Sequence, residues 1–300
     1  MSVSVVMPAK NAGAHIREAI ASVLAQGAEV AELIVIDDGS TDDTAAIVGS
    51  FGESRIRLVA NEASGVSAAR NLGARLAAEN WLMFLDADDR LRPDAIATLL
   101  AAAKASPQAV LIYGDYDVID DAGRPIGRRS MLAGRNKPSG EVLERLAAGN
   151  FIVNGGVLIV RADVFRAAGG FDQSLRYCED WHCWCRLAAV GHFHFVRAIV
   201  LDYRRHPANT MNAANRSPGD FYPAVSKVFG DSLIRGKLPR AAVPNLRRAA
   251  QIHLLTYSAA QAIRFGRYGD AIAYLRLVGR KSPFSIPRSA MRLGLAFVGI

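Results

Sequence analysis

The sequence AELIVIDDGSTDDT, residues 31–44, joins a short apolar run to a polar turn. Its first half is rich in aliphatic and β-branched side chains, which is typical of a buried strand. The turn at residues 38–40 ends this strand, and Thr41 or Asp42 is expected to cap a helix over residues 43–51. These residues therefore predict one strand-turn-helix unit.

The same unit recurs on both sides. The predicted strands are VSVVMPA (3–9), IRLVAN (56–61) and WLMFLD (81–86), and the helices between them are AHIREAIASVLAQG (14–27) and GVSAARNLGARLAAEN (65–80). Strands that alternate with helices of this length predict an α/β fold with a largely parallel sheet. Such sheets bind ligands at the carboxyl ends of their strands.

The bulk composition fits a globular protein. The chain has 300 residues, of which 51% are apolar and 21% are charged, so it can bury one large core or two modest ones. No apolar run approaches the roughly 18 to 20 residues that cross a bilayer, and the N-terminus does not resemble a signal peptide. A cytoplasmic location is therefore expected.

The cysteines are few and clustered. Cys178, Cys183 and Cys185 suit a reducing compartment better than a disulfide framework. Together with His182 they leave zinc binding open as an alternative, although their spacing fits no usual zinc finger or ribbon. We predict that they belong to the core or to the wall of a site.

Charge is distributed unevenly along the chain. Residues 1–200 carry 20 Lys and Arg against 24 Asp and Glu, whereas residues 201–300 carry 16 against 4. Residues 245–283 predict two helices, and the segment RKSPFSIPRSAMRLGLAFVGI at 280–300 mixes cations with an apolar end. This tail is expected to dock on an anionic membrane surface, at the inner face of the plasma membrane. The alternative is a basic helical cap on the rest of the protein.

Three carboxylates end the strand in WLMFLDADD, residues 81–89. Two carboxylates about 4 Å apart repel by about 4 kcal/mol at an effective dielectric constant near 20, so either one takes a proton or a cation lies among them. Mg²⁺ and Mn²⁺ prefer such oxygen ligands together with substrate phosphates. The alternative is a capped turn, with Asp89 as the N-cap of the following helix. The two common nucleotide-binding glycine motifs are absent.

Six segments carry a resemblance to a known family. VSVVMPAKN, ELIVIDDGSTDDT, GVSAARNLG, WLMFLDADD, GGFDQSL and CEDWHCWCRL occur in this order within residues 3–206 and resemble the family 2 inverting glycosyltransferases. The resemblance implies the GT-A, Rossmann-like α/β fold, with a mostly parallel central sheet flanked by helices. It assigns a catalytic domain to residues 1–212 and leaves a basic helical C-terminal extension at 213–300.

The resemblance also implies an activity. The expected reaction is the metal-dependent transfer of a sugar, with inversion, from a nucleotide-diphosphate donor, of which a UDP-sugar is favoured. The acceptor is expected to be a hydroxyl group of a glycan or lipid-linked molecule, as in cell-surface polysaccharide synthesis. The expected cofactor is Mn²⁺ or Mg²⁺, and no nucleic acid partner is expected.

The family's donor-site residues can be assigned by position. Pro8, Ala9 and Asn11 would line the base and ribose together with Asp38, which would accept a hydrogen bond from a uracil-like ring N–H. The simpler reading of Asp38 is a turn residue. Arg70 corresponds to the donor-pocket arginine near the diphosphate or the acidic cluster, although an arginine on an amphipathic helix is ordinarily solvated.

The family's D-x-D motif falls on Asp86 and Asp88. Asp86 would lie near the ribose and sugar, and Asp88 would ligate the metal. His206 is a candidate to complete the metal site. The alternatives are that His206 is an exposed loop residue and that Arg204 or Arg205 contacts phosphate instead.

The acceptor side is assigned to CEDWHCWCRL. Asp180 would be the general base, since a carboxylate within about 2.6–3.2 Å of a hydroxyl can take its proton. Glu179 would be its neighbour and an acceptor contact, and Trp181 and Trp184 could form an aromatic wall. The simpler interpretations are that the two acids stabilise a helix N-terminus and that one of the tryptophans belongs to the core.

Two other functions remain as alternatives. A nucleotidyltransferase can share the fold, but it would need a glycine-rich, basic loop after the first strand, which the chain lacks. A non-catalytic sugar- or nucleotide-binding module would need no separate acidic clamp and acidic base. The transferase therefore explains more of the motifs than either alternative.

Overall fold

The computed structural model describes residues 1–126, 137–152, 154–206, 217–285 and 289. Within them a central sheet is flanked by helices, and further helices follow it. The strands are β1 (Val3–Ala9), β2 (Val30–Asp37), β3 (Ile56–Ala60), β4 (Trp81–Phe84), β5 (Arg90–Leu91), β6 (Ala109–Ile119), β7 (Leu158–Arg161) and β8 (His192–Arg204). The helices are α1 (Ile16–Leu24), α2 (Thr44–Gly49), α3 (Val66–Leu76), α4 (Ala95–Ala105), α5 (Leu143–Ala147), α6 (Ala162–Ala167), α7 (Glu179–Val190), α8 (Tyr222–Gly230), α9 (Ser232–Lys237), α10 (Val243–Arg264) and α11 (Tyr268–Lys281).

The sheet has eight strands in the order β3-β2-β1-β4-β7-β6-β8-β5. The first four are mutually parallel, β7 is antiparallel to both of its neighbours, and β6 pairs in parallel with β8. The short β5 runs antiparallel along the edge of β8. The predicted α/β fold is thus confirmed, and the parallel half is the part built from the repeated strand-turn-helix units.

The middle of the sheet forms the core. Every residue of β1 and of β4 is buried, as expected for apolar strands covered on both faces. Helix α3 packs on β1 and β2, and α4 packs on β6 and β8. The helix predicted over residues 43–51 is shorter, at 44–49, and the Asp42 carboxylate accepts the Thr44 N–H at its start.

The parallel strands bring their polar turns to one edge of the sheet. The Asp38 N–H donates to the Ala9 carbonyl, and the Leu85 N–H donates to the Val6 carbonyl. Backbone pairing therefore continues past the strand ends and places the turns after β1, β2 and β4 beside each other. These turns hold the residues predicted to bind the donor.

A glycine allows the chain to cross directly over the end of β4. A Cβ atom on Gly155 would lie 2.7 Å from the Phe84 carbonyl oxygen, which is closer than side chains tolerate. The neighbouring Asn154 accepts the Gly156 N–H and so fixes this crossing. The segment before β7 thereby lies against the start of the acidic turn.

The C-terminal helices pack on the sheet-bearing part of the chain. α8 and α9 contact α7, and α10 contacts α5 and α8. Phe221, Val225, Ile234 and Leu254 belong to the same buried cluster as the sheet. The predicted boundary between 212 and 213 falls outside the described residues, as do residues 286–288 and 290–300 of the tail, so the division into two domains stays a prediction.

The C-terminal helix pair and the last strand complete the described fold. The helix pair predicted within residues 245–283 is present as α10 and α11. The segment from Leu201 to Arg204 forms the end of β8. None of the helices in the described ranges has the length and apolarity needed to cross a membrane.

Candidate active site

The three acids after β4 form one cluster. Asp86, Asp88 and Asp89 each place one carboxylate oxygen within 4.8 Å of the others. Their exposure differs, because Asp86 and Asp88 keep 32% and 28% of their side chains accessible while Asp89 is 1% exposed. Asp86 and Asp88 therefore face the cleft, and Asp89 lies beneath them.

Asp89 is not the N-cap of the following helix, as one alternative had it. That position belongs to Asp94, and α4 begins at Ala95. The Asp89 carboxylate instead accepts the Arg204 N–H at 2.8 Å and the Asn154 side-chain amide at 2.6 Å. Burial, and then the charges of Asp88 and Asp86, raise the pKa of Asp89 well above its usual range.

Asp88 contacts His206. The His206 Nε2 atom lies 3.0 Å from Asp88 Oδ2, so the two residues predicted to bind metal meet in the structure. Burial and the neighbouring Asp86 charge raise the pKa of Asp88, and His206 opposes this shift. Ionisation of Asp88 beside Asp86 is thus disfavoured without a cation, and the carboxylate oxygens of these two residues suit Mg²⁺ or Mn²⁺.

Arg204 lies under the acidic turn and is 1% exposed. Its guanidinium donates to the Asp88 carbonyl at 2.9 Å and to the carbonyls of Asp120 and Asp121, and it pairs with Glu18. The suggestion that Arg204 contacts phosphate is therefore wrong in this structure. Arg204 instead shapes the turn that carries the acids.

Arg70 is buried and joins the acidic turn to the start of α7. Its two terminal nitrogens donate to Asp86 at 2.7 Å and to Glu179 at 3.0 Å. Its guanidinium also lies 5.4 Å from the centre of the Phe171 ring. Although burial opposes the charge, the Asp86 and Glu179 carboxylates raise the pKa of Arg70. The structure thus places Arg70 against the acidic cluster and not in solvent.

Asp180 follows Glu179 at the first turn of α7. Its carboxylate accepts the Asn150 side-chain amide at 3.1 Å and the Trp181 N–H at 2.7 Å. Burial, and then the charge of Glu179, raise the pKa of Asp180 to about 7. A carboxylate with that pKa can exchange a proton near neutral pH, which is the property a general base needs.

The tryptophans of α7 do not line a sugar site in this structure. Trp181 is 2% exposed, and its indole N–H donates to the Leu146 carbonyl at 2.7 Å. Trp184 is fully buried against Phe171. Both rings belong to the core, which corrects the placement of Trp181 on the acceptor side.

The donor-side loops lie beside each other. The Asn11 side-chain oxygen accepts the Thr41 N–H at 2.8 Å, and Asn11 itself has a positive φ of 49°. Pro8 and Ala9 are buried at the end of β1. Asp38 accepts the Asn61 amide at 2.6 Å and the Gly65 N–H at 3.0 Å. Asp38 is therefore held at the edge of the cleft.

The cysteines are free thiols. Cys183 and Cys185 are buried, and burial raises the pKa of both thiols. His182 contacts Asp231 at 3.2 Å. Among the described residues, no metal-binding set combines these cysteines with His182, and Cys183 and Cys185 occupy the core.

Several asparagines at the site were not predicted. Asn61 holds Asp38, Asn150 holds Asp180, and Asn154 holds Asp89. Each lies in a loop without a motif of its own, so the sequence offers no local signal for them. The only hint is their position after a strand or helix that ends near the cleft.

Comparisons with known proteins agree with this fold. Residues 4–167 match the family described as "Glycosyl transferase family 2". An uncharacterized glycosyltransferase of Rickettsia prowazekii is 28% identical over 215 residues, which cover 71% of this chain and 66% of that protein. Chondroitin synthase of Escherichia coli is 27% identical over 210 residues, which cover 69% of this chain and 29% of that protein. The chain thus spans less than two thirds of the length of either relative.

A solved structure has the same fold. The crystal structure of S. aureus TarS 1–349 in complex with UDP-GlcNAc superposes with a TM-score of 0.62 at 17% identity. The match covers 95% of this chain and 92% of that chain. It therefore extends beyond the sheet to the C-terminal helices.

The raised pKa of Asp180 predicts how its replacement changes stability. In the unfolded chain the Asp180 carboxyl ionises near pH 4, but in the folded protein only near pH 7. The free energy of unfolding of the wild type therefore falls as pH rises between these values. In Asp180→Asn the side chain stays neutral at every pH, so this fall is absent. After allowance for one lost hydrogen bond, we expect the variant to be more stable by about 1–3 kcal/mol at pH 8 and nearly equal at pH 4. Urea unfolding at both pH values measures this.

In the control variant Asp172→Asn, the expected change in stability has the opposite sign. Burial acts to raise the pKa of Asp172, but the contacts with Lys227 and Ser174 outweigh it and lower this pKa to about 2. Asp172→Asn should therefore lose stability at pH 8, and the loss should shrink as pH falls toward 2. Equal pH dependence in Asp180→Asn and wild type would contradict the assignment of a raised pKa to Asp180.

Proposed function

The chain belongs to glycosyl transferase family 2, and we propose that it transfers a sugar from a nucleotide-diphosphate donor to an acceptor hydroxyl. A UDP-sugar is the favoured donor, and a glycan or lipid-linked molecule is the favoured acceptor. The bridge through Arg70 carries this proposal, because it joins the acid predicted to meet the donor, Asp86, to the acid beside the predicted base, Glu179. The two halves of a displacement reaction would thus share one cleft.

Similar proteins support the choice of substrates. The TarS structure was solved with UDP-GlcNAc, and the relative from Escherichia coli is named for a polysaccharide, chondroitin. The same fold and family favour a nucleotide-sugar donor and polysaccharide synthesis for this chain. Pro8, Ala9, Asn11 and Asp38 would line the base and ribose of that donor.

The acidic turn would receive the diphosphate end of the donor. Asp86 would contact the ribose and sugar. Asp88 and His206 would hold Mn²⁺ or Mg²⁺, which supplies Lewis acidity that neutralises the charge on a departing nucleoside diphosphate. Asp89 is already satisfied by Arg204 and Asn154, so it would fix the turn.

The acceptor hydroxyl would lose its proton to Asp180. Asn150 holds one carboxylate oxygen, and the Glu179 charge keeps the pKa of Asp180 high. The oxygen freed of its proton would attack the anomeric carbon from the side opposite the leaving group, and this direct displacement inverts its configuration. Glu179, which is held by Arg70, would also lie against the acceptor.

The C-terminal helices would dock the protein on an anionic membrane surface. Tyr268, Ile272, Arg276 and Arg280 follow one another at intervals of four residues along α11 and are all exposed. This spacing puts two apolar and two cationic side chains on one helix face. Such a face binds anionic lipid at the inner face of a membrane, where a lipid-linked acceptor would be found.

Binding of the donor product tests the metal-dependent clamp. UDP together with Mn²⁺ should raise the melting temperature by a few degrees, because a ligand at 100 times its Kd stabilises the folded state by about 2.7 kcal/mol. Asp88→Asn should remove most of this shift. Asp94→Asn, which changes an acid of the same segment outside the cluster, should keep it. An equal shift in all three proteins would contradict the clamp.

The pH dependence of transfer tests the base. With UDP-GlcNAc and Mn²⁺ as the first donor and metal, wild-type kcat/KM should rise with pH up to about 7 and then level off, because Asp180 must be ionised. Asp180→Asn should lower kcat by about 10²- to 10⁴-fold. Donor hydrolysis, measured by release of UDP, gives the profile without a known acceptor.

A neighbouring substitution distinguishes a base from a structural acid. Glu179→Gln removes a negative charge that raises the pKa of Asp180, so the inflection should move to lower pH. An inflection that stays in place in Glu179→Gln, or a kcat of Asp180→Asn equal to that of the wild type, would rule out Asp180 as the base.

Vesicle binding tests the membrane contact. The double variant Arg276→Ser, Arg280→Ser should bind vesicles of 30% phosphatidylserine roughly 10- to 30-fold more weakly than wild type, at about 1 kcal/mol per arginine. The control variant Arg75→Ser, Lys104→Ser loses the same charge from exposed positions of the catalytic part. If both double variants bind like wild type, α11 does not dock on the membrane.

A further inference from the structure

A second group of metal-ligand side chains lies beside the acidic cluster. His15, Asp121 and His206 each offer one ligand atom, and these atoms lie within 4.8 Å of one another. The His15 Nε2 atom is 3.0 Å from Asp121 Oδ1, and the rings of His15 and His206 are 5.1 Å apart. His206 also contacts Asp88 and so lies between the two groups.

The three side chains come from distant parts of the chain, and the backbone at each one is fixed. His15 precedes α1, and its N–H donates to the Ala12 carbonyl at 3.0 Å. The Asp121 carbonyl accepts from the buried Arg204 guanidinium at 2.9 Å. Beside His206, the Arg205 N–H donates to the Ile119 carbonyl at 2.9 Å. The group is therefore assembled by the fold before any ion arrives.

We propose that His15, Asp121 and His206 form a second metal site, which takes a transition-metal ion such as Zn²⁺. His206 would bind either this ion or the ion at Asp88, but not both at once. Two imidazoles and one carboxylate are a ligand set that Zn²⁺ and Co²⁺ prefer, whereas Mg²⁺ prefers oxygen alone. Ligand atoms bonded to one tetrahedral Zn²⁺ at about 2.1 Å lie about 3.4 Å apart, so small side-chain rotations suffice to bind it. Three protein ligands leave a fourth position for water.

This site differs in kind from the acidic cluster. Asp86, Asp88 and Asp89 offer only carboxylate oxygens, whereas the second group contains two of the chain's histidines. The two groups therefore select different ions. Ion binding by His15 and Asp121 does not depend on the proposed transferase activity, so it can be measured without a donor or an acceptor.

Titration of the full-length protein with Co²⁺ tests the proposal. Tetrahedral Co²⁺ bound to imidazole absorbs visible light, and Zn²⁺ added afterwards should displace it and abolish the absorption. We expect one equivalent to bind to wild type. Asp121→Asn and His15→Gln should each weaken binding at least tenfold. Asp121 is 66% exposed, so its substitution leaves folding intact, which a melting curve verifies.

Two control variants separate this site from others. Glu141→Gln alters another exposed carboxylate beside a histidine, His192, at 3.8 Å, and it should bind Co²⁺ like wild type. Asp88→Asn alters the acidic cluster and should retain the Co²⁺ absorption. Binding that is absent in wild type, or that is equal in wild type, Asp121→Asn and His15→Gln, overturns the proposal. Loss in Asp88→Asn alone would place the ion in the acidic cluster and overturn it as well.

Discussion

Repulsion between carboxylates at the end of β4 is the force that the surrounding structure opposes. Asp86, Asp88 and Asp89 lie within one small cluster, and two of them are withdrawn from water enough to raise their pKa values. Two buried arginines hold the cluster in place. Arg70 neutralises Asp86 directly, and Arg204 binds the backbone of the turn. The remaining repulsion makes the open face of the turn favourable for a cation.

Arg70 also sets the properties of the predicted acceptor side. Arg70 donates a hydrogen bond to Glu179 and so holds the Glu179 carboxylate beside Asp180. Burial and that charge raise the pKa of Asp180, and Arg70 and Asn150 limit the shift. A carboxyl group fully ionised in water thus becomes one that titrates near neutral pH. This tuning lowers stability at neutral pH, as is common where a protein positions a reactive group.

The parallel half of the fold and the positions of its acids could be predicted from sequence. Apolar runs such as residues 33–36 and 81–85 predict buried strands directly, and each run is followed by a polar turn. The rest depends on pairing between distant segments. β5 is two residues long and exists only because it pairs with β8, more than 100 residues away. The alternative that made Asp89 an N-cap is wrong for the same reason, since Asn154 and Arg204 lie far along the chain and donate to its carboxylate.

Helix α10 reaches the loop that holds the predicted base. A Cβ atom on Gly149 would lie 2.8 Å from the His253 ring, so α10 packs directly on this loop. The next residue, Asn150, donates to Asp180. Removing the C-terminal helices would therefore uncover part of the core and free the loop that orients Asp180. The proposed membrane contact and the proposed transfer would therefore be coupled through this packing, and surface substitutions on the C-terminal helices would leave it in place.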